Sequence, residues 1–316
     1  MGKTPGTFAA LYVTMDFLFY WFHRMGHSIN LLWAAHAPHH SSEELNYTVG
    51  LRASVTQRLA SFLFYWPLAL VAQPEVSLPL VGLHLLFQLI PHTRVIKRLP
   101  KWIEAWLNTP THHRVHHGMN PKYLDKNFGG TFIVWDNLFG TYVEETEPVV
   151  YGVLRPVNTF DPIAINTQYF KLLWKDAVDA PLITDKLRLW FMPNGWRPIG
   201  VPPRAPLTPV FGREKLRADL TPVQRNFILA QLPFVLGAMW LVTTHDSPLG
   251  FWGKVVAGAA IWAVVIGWGE PSTRPVGAFP GLPTAGARSC RARRAPSPRR
   301  EPSPRRLTGS APRSAA

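Results

Sequence analysis

The sequence predicts an all-α protein, an integral membrane helical bundle that carries a histidine-rich metal site. Three observations point there. Five apolar runs, rich in aromatic residues and poor in charge, punctuate the first 270 residues. Charged side chains make up only 16% of the 316 residues, against about 25% in an ordinary soluble domain. Eleven of the twelve histidines fall between residues 23 and 117, most of them in tight groups.

The elements follow in order. Thr7 to Phe22 is nearly all apolar, is interrupted by Asp16, and runs straight into His23. No small-residue cleavage site follows it, so no cleavable signal peptide is expected. Leu59–Val71 and Val76–Ile90 are separated by Gln73-Pro74-Glu75. Each is shorter than the ~20 residues of a spanning helix, which predicts a helical hairpin that enters the bilayer without each half crossing squarely. Phe227–Thr244 and Phe251–Gly269 are better spanning candidates, joined by the polar turn His245-Asp246-Ser247-Pro248. Lys254 lies near enough to an end to snorkel. Between the apolar runs, Thr93–Asn127 and Val143–Asp219 are predicted to be aqueous. The second is rich in Pro and Lys/Arg, and short helices and loops forming a cytosolic flap over the site are expected there. The resulting division is a histidine-motif catalytic region over 1–150, a Pro/basic-rich connecting region over 151–226, a transmembrane hairpin over 227–270 and a tail over 271–316.

The formal net charge of +14 would by itself suggest a nucleic-acid partner. Its distribution argues otherwise. Residues 271–316 hold ten arginines, nine prolines and one acid, Glu301, and so carry +9 of the total. Such a segment buries no core and is expected to be disordered. It is a dispensable extension, an out-of-frame stretch, or a basic arm for anionic lipid or RNA, with the first preferred. The +5 left on the rest of the chain is ordinary for a membrane protein, and no nucleic-acid partner is expected. The single cysteine, Cys290, excludes a disulfide framework and any cysteine-based zinc or iron–sulfur site.

The histidines carry the functional signal. His23 and His27 stand at i, i+4, on one face of a helix. His36, His39 and His40 stand at i, i+3 and i+4, and His113, His116 and His117 repeat that spacing. Imidazole is the commonest neutral nitrogen ligand for iron, zinc and copper. One tetrahedral ion needs three or four ligands, so eight imidazoles suit two ions with about four each. His84 reads as a buried hydrogen-bonded histidine, His112 as a neighbour of the third group, and His245 as a surface residue.

At these residues the chain resembles the fatty acid hydroxylase superfamily, also called the sterol desaturase family. Its pattern of HxxxH, HxxHH and a second HxxHH after a hydrophobic hairpin occurs here in order. Phe22-His-Arg, Leu32-Trp-Ala-Ala-His, His39-His-Ser-Ser-Glu and Thr109-Pro-Thr-His-His-Arg-Val-His-His-Gly agree with it. The stretch from Asp125-Lys-Asn-Phe-Gly-Gly to Trp135-Asp-Asn-Leu-Phe-Gly-Thr resembles the branch of alkylglycerol monooxygenase and its bacterial relatives. The resemblance covers roughly residues 10–150. It implies a membrane-bound di-iron oxygenase whose histidines bind two non-haem irons at the cytosolic face. O2 and two electrons would then hydroxylate or desaturate a C–H bond of a lipid. It maps His23, His27, His36, His39, His40, His113, His116 and His117 onto metal ligands, and His92, in Pro91-His92-Thr93, onto an additional one.

Groups that accept the other N–H of the imidazoles are expected among Asp16, Asn46, Asp125 and Asn127, with Glu43 and Asp136 as further candidates. Asp16 lies seven residues before His23, two helical turns away on the same face, and an acid inside an apolar helix needs a partner. Arg114, Lys122 and Lys126 are candidates for contacting lipid phosphate or an anionic redox partner. An electron-transfer partner of ferredoxin, cytochrome b5 or pterin type is implied. The bacterial inner membrane is expected rather than the endoplasmic reticulum. Two departures from the family stand out. Members usually have one or more membrane helices before the first motif, where this chain has 22 residues, which suggests a truncated or misassigned start. Ser28 stands where alkylglycerol monooxygenase has a glutamate, which weighs against an ether-lipid substrate and a pterin cofactor. A membrane metal-binding or transport protein, or an inactive truncated family member, are the alternative readings.

Overall fold

The structure is a computed structural model and describes residues 4–204, 215–218, 220–244 and 248–273. The described residues are mostly helical. Three isolated bridges, such as Leu107 to Phe132, are the only β-pairing among the described residues, and none of them extends into a strand. The Arg/Pro-rich tail from residue 274 onward and the turn residues His245, Asp246 and Ser247 lie outside the described residues.

Helix α1 (Pro5–Ser28) begins at an N-cap made by Thr4, whose hydroxyl accepts from Thr7 N at 3.2 Å, with Pro5 in the first turn where its missing N–H is not needed. The chain turns at Ile29, which is extended, and α2 (Asn30–His40) doubles back against α1. A single turn, α3 (Tyr47–Gly50), follows, capped by Asn46. The predicted hairpin is present as α4 (Val55–Val71) and α5 (Pro74–Leu89), joined through Ala72 and Gln73. Leu68, Ala72, Val76 and Leu80 of this hairpin pack on Leu11 and Met15 of α1. Its other face leaves Leu59, Phe62, Leu63, Trp66, Leu78 and Leu86 exposed, the surface expected where hydrocarbon rather than water is the neighbour.

Three short helices carry the central region: α6 (Lys101–Glu104), α7 (Pro110–His116) and α8 (Val134–Leu138). The expected flap contains an 18-residue helix, α9 (Pro162–Asp179), capped by Asp161, then α10 (Ile183–Arg188) and a 3₁₀ turn at Leu189–Phe191. Leu173, Ala177 and Leu189 bury against Ala34, which seats this segment on α2. The last helices are α11 (Pro222–Thr243), started by a Thr221–Gln224 capping box, and α12 (Phe251–Thr273). Both are long and apolar enough to cross a bilayer, and almost none of their spanning residues is buried by protein.

Candidate metal centre

Four elements converge to bury nine imidazoles. Helix α1 supplies His23 and His27, α2 supplies His36, His39 and His40, and α7 with its C-cap supplies His113, His116 and His117. The turn after α5 adds His92. They form two groups: His23, His27, His36, His40 and His116 in one, and His39, His92, His113 and His117 in the other. Within each group the ligating nitrogens all lie within 4.8 Å of one another. The groups adjoin, with the rings of His40 and His117 stacked at 4.3 Å. All eight motif histidines are therefore brought together, and His92 stands among them as a full member. His84 and His112 are outside both groups.

The nitrogens meet closely. In the first group His36 Nε2 lies 3.1 Å from His23 Nε2 and 3.0 Å from His40 Nε2, and His27 Nε2 lies 3.1 Å from His40 Nε2. In the second, His113 Nε2 lies 2.9 Å from His92 Nε2 and 3.1 Å from His117 Nε2. Burial pushes the imidazoles of His36, His39, His40, His113, His116 and His117 well below their ordinary range, and the neighbouring histidines add to the effect. Burial likewise pulls His92 down to about 4. These seven rings are neutral at pH 7, and each has one N–H.

Where that hydrogen sits tests whether a metal fits. His23 Nδ1 donates to Phe128 O at 2.8 Å, His116 Nδ1 to Lys126 O at 3.0 Å and His92 Nδ1 to Gln88 O at 2.9 Å. A carbonyl only accepts, so the hydrogen is on Nδ1 and the inward-facing Nε2 presents a lone pair. His27 does the same by donating from Nδ1 to Asp125 Oδ1 at 3.2 Å. His116 Nε2 is buried with no hydrogen-bond partner. The inward Nε2 lone pairs of His23, His27, His92 and His116 converge on these two groups, and a cation there would satisfy the orphaned acceptor of His116. Nitrogen-only donors suit a borderline transition-metal ion rather than a hard one such as Mg²⁺ or Ca²⁺, and five plus four exceed what one ion takes.

One loop organises much of this. Asp125 and Asn127 both take the left-handed conformation, with φ of 55° and 54°, a region Asn and Asp tolerate better than most residues. The chain thereby aims the Asp125 carboxylate and the carbonyls of Lys126 and Phe128 at three different imidazoles. Asp136 holds the far side, accepting from Phe128 N and Gly129 N, each at 2.7 Å. Asn127 spans the loop, donating to His112 O and Val143 O while accepting from Val143 N.

The four expected acceptors thus divide. Asp125 alone reaches one of the nine imidazoles. Asp16, wholly buried, instead accepts from His84 Nε2 at 2.6 Å, Thr131 N at 2.6 Å, Phe132 N at 3.1 Å and Trp135 Nε1 at 2.8 Å. Its partners are His84, Trp135 and the main chain at Thr131 and Phe132, not His23. Asn46 only caps α3, accepting from Thr48 N, and Glu43 accepts from Leu216 N. Arg114 is buried against Glu145 and the carbonyls of Ile96 and Lys97, which removes it from any lipid contact, and Lys122 pairs with Glu147. The acceptors missing from the sequence reading are main-chain carbonyls.

A cavity of about 500 Å³ opens onto the first group. Its lining includes His27, His40, His116 and His117, the apolar side chains of Trp33, Leu124, Val153, Leu154 and Ile165, and Tyr169 of α9.

The described residues thus combine two adjoining all-histidine clusters that could hold metal ions with two helices long and apolar enough to cross a bilayer. Residues 8–141 match the fatty acid hydroxylase family, and over that stretch the chain belongs to it. It is 43% identical over 218 residues to alkylglycerol monooxygenase of Xenopus tropicalis, covering 67% of this chain and 48% of that protein. With alkylglycerol monooxygenase of Homo sapiens it shares 44% over 195 residues, 62% of this chain and 44% of that one. An ornithine lipid hydroxylase of Rhizobium tropici is 29% identical over 138 residues, 43% and 41% of the two chains. The chain spans about half the length of the curated relatives it matches. No solved structure matches it.

Proposed function

We propose that the protein is a membrane-bound, non-haem di-iron oxygenase that hydroxylates, or desaturates, a C–H bond of a lipid. The observation that carries this reading is the pair of buried imidazole groups beside an apolar cavity. Two irons held by His23, His27, His36, His40 and His116 and by His39, His92, His113 and His117 would supply, with O2 and two electrons, an oxidant able to break an aliphatic C–H bond.

The chain's own residues do the rest. Trp33, Leu124, Val153 and Ile165 bind the lipid chain and exclude water from the reacting end. The carbonyls of Phe128, Lys126 and Gln88 and the Asp125 carboxylate keep hydrogen on Nδ1 of four imidazoles, so that Nε2 stays free to ligate. Helices α11 and α12 anchor the protein in the membrane, with the site on the cytoplasmic side of a bacterial inner membrane and a ferredoxin, cytochrome b5 or pterin-type donor delivering electrons. The relatives' names include an alkylglycerol and an ornithine lipid, which supports a polar lipid as substrate.

Metal analysis of the detergent-purified chain tests this together with lipidomics of cells with and without it. Two irons per chain, O2 uptake on reduction and a +16 or −2 mass change in one lipid class are expected. Unchanged iron content in His116→Ala would overturn the ligand assignment.

A further inference from the structure

Part of the cavity lining has different chemistry. Arg155, Arg197 and Arg204 all belong to it, and they surround a single carboxylate. Asp176 Oδ2 takes both Arg197 Nη1 and Arg204 Nη2; Arg197 also donates to Pro202 O at 2.7 Å, and Arg204 to Leu172 O at 3.3 Å and to the Tyr169 hydroxyl. Burial lowers the Arg204 pKa from its ordinary value; Asp176 opposes this, and the nearby charges of Arg197 and Arg155 add to it. Asp125, the acid among the lining residues, is engaged by His27.

Positive charge is therefore in excess here. Arg155 is half-buried, and its side chain has no hydrogen bond or ion pair among the described residues. Arg197 Nε is buried without a partner. An unpaired cation and an orphaned donor in a partly desolvated cavity are both unfavourable until an anion meets them. A guanidinium fork matches phosphate and carboxylate oxygens alike.

We propose that Arg155, Arg197 and Arg204 form a binding site for the anionic head group of the lipid, a phosphate ester or a carboxylate, with Arg155 setting the specificity while the chain runs past Trp33 to the histidines. This rests on the reading of the cavity as a lipid site. It names a feature a neutral alkylglycerol does not have, and it makes the arginine cluster a selector.

Calorimetric titration of the full-length, iron-loaded chain in non-ionic detergent tests it. The probes are a 1-alkylglycerol, its 3-phosphate, and an N-acyl amino acid with a chain of equal length. The wild type is expected to bind at least one anionic lipid about 10- to 100-fold more tightly than the neutral one, the range of charge-assisted hydrogen bonds. Whichever anion is preferred identifies the head group. Arg155→Gln is expected to erase the preference, lowering the affinity for the anionic lipid about 10-fold or more beyond any change for the neutral one, and Arg155→Lys to restore part of it. Equal affinity for neutral and anionic lipids, or an undiminished preference in Arg155→Gln, overturns the proposal. Arg155-dependent binding with no lipid oxygenated would leave the head-group site standing and refute the oxygenase reading. Oxygenation of the neutral lipid without anion preference would do the reverse.

Discussion

Replacing Asp136 by Asn tests whether the loop over residues 125–130 is held by a charge. The carboxylate is fully buried and accepts three hydrogen bonds: from Phe128 N at 2.7 Å, from Gly129 N at 2.7 Å and from Thr141 Oγ1 at 2.6 Å. The amide has the same shape but one acceptor fewer. Whichever way it lies, its NH2 meets a main-chain N–H, or gives up both bonds on that oxygen. The bonds that remain become neutral, each weaker by roughly 1 kcal/mol, and one buried donor left unmade costs about 1–3 kcal/mol. Against this, burial raises the Asp136 pKa, so an uncharged side chain recovers part of the desolvation. The balance is a loss of about 2 kcal/mol. Because Phe128 O orients His23, iron affinity is expected to fall about 10-fold or more in parallel. Thermal denaturation in detergent and iron retention against a chelator read the two effects. A variant that matches wild type in both would refute the argument that this carboxylate positions the loop.

Other perturbations separate the parts of the site. In Gly130→Ala the added Cβ would lie 2.6 Å from Asp16 Oδ1, 2.7 Å from Phe19 Cδ1 and 2.8 Å from His84 Nε2; a loss of about 3 kcal/mol or failure to fold is expected, read as yield and melting temperature. Asp125→Ala should cost about 1 kcal/mol of stability, because alanine tolerates the left-handed backbone at φ 55° less well than Asp even though the side chain is mostly exposed, and should weaken iron binding about 10-fold through His27, measured by chelator competition. The metal-free chain should lose stability on acidification. An unfolded histidine takes a proton below about pH 6.5 while the buried ones stay neutral, so stability present above that pH falls by up to about 1.4 kcal/mol per unit for each such histidine. The decline runs down toward the folded value, about 4 for His92. Melting temperatures that stay flat from pH 7.5 to 4.5 would contradict it.

The spacing of the histidines made the centre legible, because i, i+3 and i+4 positions share a helix face whatever the helix packs against. The hairpin α4–α5 was legible for a similar reason: two apolar runs flank a Gln-Pro-Glu break that a helix does not cross. His92 was harder, standing alone in a turn with no periodicity to place it. The orienting groups were hardest. Every residue has a carbonyl, so nothing in the letters distinguishes Lys126 and Phe128 as acceptors. The visible cue was indirect, the Asp-x-Asn-Phe-Gly-Gly run, whose first and third residues tolerate left-handed backbone and whose glycines admit Asp16 and Asp136. Asp16 was recognised as needing a partner, but only the fold reveals that His84 and the loop provide it.

That three of the nine imidazoles rest on peptide carbonyls has a consequence for how this centre tolerates change. A side chain can be deleted by one codon; a carbonyl cannot. Alanine scanning across Lys126, Phe128 and Gln88 would remove three side chains and leave all three acceptors in place. The wiring of the centre is thus largely shielded from point substitution and exposed to it mainly through backbone geometry, at the two left-handed residues and the two glycines. Length changes in this loop, rather than replacements within it, are the route by which a descendant would retune or lose the orientation of these imidazoles.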